Sequence, residues 1–161
     1  TAYEIYQCDW SSDVCSSDLA SHSDLETCTF AIDKEVLSHT DLASTHINRG
    51  IVETSLELYQ DALADYNKAQ QLVPRMPEAY ISRGNLWFLA EKFQRASDEY
   101  TQAMQTEFKR LQIAFYNRAL ANERLGNNAA AVADLREALK LDPGFRLAQE
   151  RLDKLTGKPA Q

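Results

Sequence analysis

Three arginines each stand sixteen residues before a carboxylate: Arg49 before Asp65, Arg83 before Glu99, and Arg118 before Asp134. A guanidinium and a carboxylate form a charge-assisted, two-pronged hydrogen bond. Threefold recurrence at one spacing points to a structural ion pair, with ligand binding by the arginines as the alternative. Such a pair contributes about 0–1 kcal/mol if exposed, and breaking one costs more if it is partly buried. The other reactive side chains are poorly placed for chemistry. His22, His39 and His46 lack metal-ligand spacing and have no cysteine pair beside them. Cys28 reads as a small buried hydrophobe rather than a nucleophile. No Ser, Cys or Lys arrives with a base and an orienting partner, and no glycine-rich phosphate loop is present. The expectation is therefore no catalytic residue, no metal and no cofactor: the chain is not an enzyme.

The arginine pairs belong to a larger period. A ring recurs at His46, Tyr80 and Phe115, followed by the triplets Asn48-Arg49-Gly50, Ser82-Arg83-Gly84 and Asn117-Arg118-Ala119. Alanines recur at Ala62, Ala96 and Ala131, and again at Ala69, Ala103 and Ala138, with Tyr66, Tyr100 and Leu135 between them. Pro74 and Pro143 close the first and third units, with Phe108 in the matching slot of the second. Every column steps by 34 and then 35 residues, the added residue falling between Ala103 and Phe115, where an inter-unit turn tolerates it. The period predicts helices over 43–56, 59–72, 77–90, 93–107, 112–125 and 128–141. Each small residue after an arginine is expected to sit where the second helix approaches through Ala62, Ala96 or Ala131. Gly126-Asn127-Asn128 reads as a turn, because Gly and Asn tolerate the left-handed conformation that ends helices.

These columns resemble tetratricopeptide repeats, a 34-residue helix–turn–helix family with a ring, Gly, Ala and Pro pattern. The resemblance covers Ala43–Phe145. It implies an all-α fold: a right-handed superhelical solenoid of antiparallel helix pairs. Three full repeats would be joined by a partial N-terminal repeat and a C-terminal capping helix. The units fall at 43–76, 77–111 and 112–145, with 146–161 as capping helix and tail. Asp142-Pro143 is expected to start that last helix over about 143–156, with Phe145, Ala148, Leu152 and Leu155 on one face, as the end of a solenoid requires. Residues 20–42 are expected to hold the second helix of a truncated repeat, Asp24–Val36, and a linker, with Cys28 and Ala31 in the Tyr66 and Ala69 slots.

Thr1–Leu19 stands apart. It has no Lys or Arg and is crowded with Ser, Asp and Cys. Asp9–Leu19 (DWSSDVCSSDL) and Thr1–Ile5 (TAYEI) resemble the translation, in one frame, of a common short-read sequencing adapter. The segment is expected to be non-native and is excluded from fold reasoning. Without it Cys8 and Cys15 go, so no cysteine framework remains to indicate a redox compartment. Seventeen basic and twenty acidic residues then remain, a net charge of −3 against −7 for all 161 residues. That balance argues against general nucleic-acid binding. Residues 109–161 are mildly basic, with ten basic and six acidic side chains, which leaves RNA contact as a weak alternative. No apolar run of 18 residues exists, so no membrane span is expected. The compartment is left open.

In the family, first helices line a concave face that receives an extended peptide or a helix. The resemblance implies a partner-binding groove at Ile47, Ile51, Ile81, Asn85, Phe88, Tyr116, Asn117 and Leu120, with Ile47, Ile81, Phe88 and Tyr116 partly exposed. One subclass grips a chaperone's terminal carboxylate with a lysine–asparagine–arginine clamp. The matching slots hold Ile47, Ile51, Ser82, Ile113 and Asn117, so that clamp is missing and a neutral, partly apolar peptide is favoured. The expected function is a protein–protein interaction module or assembly scaffold with a protein or peptide partner. Self-association through the array ends is the alternative.

Overall fold

The structure, a computed structural model, describes residues 22–34 and 36–157. Thr1–Leu19 lies outside the described residues. Eight helices and no strand occur among those described: α1 His22–Lys34, α2 His39–Ser55, α3 Tyr59–Leu72, α4 Pro77–Leu89, α5 Phe93–Met104, α6 Leu111–Arg124, α7 Asn128–Leu141 and α8 Arg146–Thr156. Each helix packs on its neighbours in the chain, with α2 also touching α4, and α4 touching α6. First helices thus line up beside one another while second helices back them, which is the helical solenoid.

The pairing follows from residue size. An ideal Cβ added at Gly50 would lie 2.6 Å from Tyr66 Cε1, and one at Gly84 would lie 2.5 Å from Tyr100 Cε1. The glycines therefore admit a tyrosine ring from the second helix, rather than only the alanine expected there. In the third unit the same slots hold Ala119 and Leu135, both buried; a smaller partner side chain leaves room for a methyl group. Tyr66 then meets Thr54 Oγ1 at 2.9 Å through its hydroxyl, and Tyr100 Oη donates to Asn85 Oδ1 at 2.9 Å. Ala62, Ala96, Ala131, Ala69, Ala103 and Ala138 are all buried.

Each first helix ends in the same way. Glu57, Glu91 and Gly126 have φ of 62°, 57° and 80°. Their amides donate three residues back, to Thr54, Phe88 and Glu123, and the following amides donate five back, Leu58 to Glu53, Lys92 to Trp87 and Asn127 to Asn122. This is the left-handed helix end usually made by glycine, recurring at the repeat spacing. The sequence displayed it only at Gly126, because Glu occupies the other two positions.

Two helix starts differ from expectation by three residues or more, α1 spans 22–34 rather than 24–36, and α5 ends at Met104 rather than 107. α2 begins at His39, four residues early, because Ser38 caps it: its Oγ accepts from Asp41 N at 3.1 Å and donates to Asp41 Oδ2 at 2.6 Å. α8 begins at Arg146 rather than 143, because Asp142 Oδ1 accepts from Gly144 N at 3.0 Å and makes a separate turn. α8 buries Ala148 and lays Leu152 and Leu155 against the core, with Phe145 5.0 Å from the Tyr116 ring.

Candidate functional site

The three arginines bind helices together. Arg49 Nε donates to Asp65 Oδ2 at 2.6 Å, Arg83 Nε to Glu99 Oε1 at 2.8 Å, and Arg118 Nη2 to Asp134 Oδ1 at 2.7 Å. In every unit the guanidinium is bidentate, using both carboxylate oxygens. Its remaining nitrogen reaches back to the preceding second helix: Nη1 donates to Thr29 Oγ1, to Asn67 Oδ1 and to Thr101 Oγ1 at 3.2, 2.8 and 3.1 Å. Thr29, Asn67 and Thr101 each directly follow the residue in the tyrosine slot, Cys28, Tyr66 or Tyr100. One arginine therefore ties three helices, and α1 stands in the register of a preceding second helix. Arg83 and Arg118 also lie 5.6 Å over the rings of Tyr80 and Phe115.

Unit one differs. In the ring slot His46 is buried and its Nδ1 donates to Asp65 Oδ1 at 2.9 Å. One turn beyond Arg49, Glu53 is buried as well, with Oε1 3.9 Å from Arg49 Nε and no hydrogen-bond partner for Oε2 among the described residues. Burial, and then the negative charge of Asp65, push the Glu53 carboxyl up to about 7. The bond to Asp65 raises the Arg49 guanidinium further above its ordinary value.

The expected groove residues are placed deeper than the resemblance implied. Ile81 and Asn117 are fully buried, and Ile47, Asn85, Phe88, Tyr116 and Leu120 are buried too; Ile51 is half-buried. The expectation of part-exposed Ile47, Ile81, Phe88 and Tyr116 is therefore corrected. Side chains of the paired second helix, of the next unit and of the α7–α8 connection cover them, with Tyr116 against Phe145. Phe88 meets Phe93 edge-on at 5.2 Å, and Asn117 Nδ2 donates to Asn85 Oδ1 at 3.2 Å.

A cleft of about 910 Å³ lies over α2. Thr40, Ser44, Ile47, Asn48 and Ile51 form one wall, at i, i+4, i+7, i+8 and i+11, so that they share one helix face. Val73–Met76 of the α3–α4 connection with Pro77 and Glu78 at the start of α4, and Glu107–Arg110 of the α5–α6 connection, form the other. Arg75 Nη2 donates to the Gln105 carbonyl at 2.7 Å and holds the two connections together. The lining mixes apolar side chains (Ile47, Ile51, Val73, Met76, Phe108) with hydroxyls, and carries both charge signs at its rim. Sequence reasoning named Ile47 and Ile51 but missed Thr40, Ser44 and the connections. The helical face starting at His39 could have indicated the first two. Nothing in the period brings residues 73–78 and 107–110 to one wall. No group of three or more potential metal ligands occurs among the described residues, and no helix among them is long and apolar enough to cross a membrane.

Residues 112–145 match the family model described as tetratricopeptide repeat. Human sperm-associated antigen 1 is 30% identical over 98 residues, 61% of this chain and 10% of that protein. Human tetratricopeptide repeat protein 6 is 32% identical over 75 residues, 47% of this chain and 14% of that protein. The chain thus spans only a small part of the length of these relatives. Among solved structures, YrrB, described as a TPR protein with an unusual peptide-binding site, superposes with a TM-score of 0.67 at 24% identity, over 81% of this chain and 65% of that one. The first TPR of Spaghetti, bound to an HSP90 peptide, gives 0.67 at 22% identity, over 77% and 96%. MamA gives 0.70 at 18% identity, over 84% and 77%. Residues 112–145 thus match a tetratricopeptide repeat, and the described helix array has the fold of the tetratricopeptide-repeat solenoids.

Proposed function

We propose that the chain is a non-catalytic protein-interaction module whose cleft over α2 seats an extended segment of a partner protein. The cleft itself carries this reading: an apolar floor for a side chain, with hydroxyls and amides beside it for a peptide backbone. Peptide binding by YrrB and by the first TPR of Spaghetti, as their descriptions state it, is consistent with the same use of the fold. The groove proposed from the family pattern contracts to Ile47 and Ile51, the two of its members that line this cleft.

The test is selection of a random peptide library on the full chain, followed by titration of the enriched peptides. Ile51→Asp places a charge on the floor and is expected to weaken binding at least tenfold with helicity unchanged, as loss of an apolar anchor does. Ala129→Asp, on an exposed stretch of α7, is expected to bind as the parent does. Equal binding by the Ile51→Asp chain would remove the cleft as the site.

Self-association is a second reading, favoured by Phe30, which is 61% exposed on α1. Light scattering behind size-exclusion chromatography, with Phe30→Asp for comparison, distinguishes a dimer through that face from a monomer.

A further inference from the structure

Two titratable side chains are buried in unit one where the other units have none. The His46 slot holds Tyr80 and Phe115 in the later units, and the Glu53 slot holds Trp87 and Asn122. Glu53 is 6% exposed. The nearest cation is already committed: Arg49 makes two bonds to Asp65 and a third to Thr29. Its Nε stays 3.9 Å from Glu53 Oε1, beyond hydrogen-bonding reach, while Oε2 has no partner among the described residues. A charged carboxylate in that position would be desolvated and incompletely paired. A protonated one would be a neutral hydroxyl-bearing group beside an ion pair that is already complete.

We propose that the α2–α3 pair of unit one is a pH-sensitive latch, closed when Glu53 is neutral and loosened when it ionises. The groups acting on it are Arg49 from its own helix and Asp65 and Asp61 from α3. His46 acts on it through Asp65, and α1 contributes Cys28 and Thr29 against Arg49. Asp65 and Asp61 oppose ionisation of Glu53, and Arg49 favours it. Burial outweighs the cation, because Arg49 is turned towards Asp65. The direction of the pH effect follows. The folded carboxyl holds its proton up to about 7, against an ordinary 4.5. Between those values the unfolded chain binds fewer protons than the folded one, so stability falls as pH rises and levels off above about 7. Units two and three, lacking the pair, do not share this dependence.

The experiment is thermal unfolding of the full chain from pH 5.5 to 8.5, with Glu53→Gln and His46→Gln compared at each pH. The parent is expected to lose about 3–8 °C of Tm across that range. E53Q is expected to be nearly flat and to exceed the parent at pH 8.5. H46Q should retain the parent's slope although its Tm is lower throughout; its partner Asp65 keeps Arg49. A parent slope retained in E53Q, or abolished in H46Q, would overturn the assignment to Glu53. If E53Q does not fold, carboxyl carbon NMR of the parent decides: a Glu53 midpoint near 7 supports the latch, and one near 4.5 refutes it. Hydrogen exchange, corrected for intrinsic base catalysis, should show α2–α3 protection falling with pH while α6–α7 protection holds. Uniform behaviour along the array would refute the local device.

Discussion

At the scale of single residues, the arginine column is the most consequential feature. Each guanidinium is mostly screened from solvent, with side-chain exposure of 13% for Arg83, and satisfies a carboxylate that is itself largely buried. Arg83→Ala would leave Glu99 unpaired and cut the tie to Asn67 and Gln70 on α3. The expected loss is about 2–4 kcal/mol, measured by urea unfolding. Replacing both Arg83 and Glu99 by apolar residues of similar size should cost clearly less than the sum of the singles. The glycine–tyrosine contact makes a second prediction. Gly84→Ala drives a methyl into the Tyr100 ring and is expected to cost about 1–3 kcal/mol. Adding Tyr100→Leu, which copies the Ala119–Leu135 pair of unit three, should recover part of that loss. Additive losses in the double variant would mean that the contact is not the cause.

For the helical elements, stability is decided largely at their ends. Glu57 and Glu91 hold a left-handed backbone that strains a residue with a Cβ but not a glycine. Glu57→Gly and Glu91→Gly are each expected to raise stability by about 0.5–1 kcal/mol, net of the greater freedom glycine gives the unfolded chain. Gly126→Ala, in the corresponding turn, should lower stability by about 1 kcal/mol. Thermal melts of the three variants check the set, and a loss at Glu57 or Glu91 would show that those side chains do more than occupy the turn. The cap on α2 gives a companion test: Ser38→Ala removes both bonds to Asp41 and should cost about 1 kcal/mol.

For the whole molecule, the array transmits order from neighbour to neighbour, because each unit is tied chiefly to the next by packing and by an arginine that reaches back one helix. Buried apolar residues form one cluster around α2, α3 and the adjoining face of α4, and a larger one running from α4 to α8. Unit one therefore rests on the smaller cluster and carries the incompletely paired Glu53. It is expected to open first under denaturant. Hydrogen exchange in dilute urea should show α2 and α3 losing protection before α6 and α7; the reverse order would place the weak point elsewhere. Because Ile47 and Ile51 on α2 form the cleft wall, such opening would remove the proposed binding surface while the rest of the solenoid stays folded.

The repeat, the helix pairs and the arginine–carboxylate spacing were legible in the sequence. Each depends on relations within one unit, and a 34- or 35-residue period displays those relations three times over. Tertiary structure decided what a period cannot encode. It turned the glycines towards tyrosine rings, since side-chain direction settles which small residue faces which large one. It buried Phe88 against Phe93, Tyr116 against Phe145 and Asn117 beside Asn85, because the elements that cover an inner-face residue come from outside its own helix. It brought residues 73–78, a connection and the first turn of α4, and the connection residues 107–110 together beside α2 to make a cleft, a juxtaposition across two repeats. Finally, it placed His46 and Glu53 around an arginine already engaged by Asp65. The sequence supplied those residue types; only the packing of three helices determined that Glu53 would be left in the interior without a committed partner.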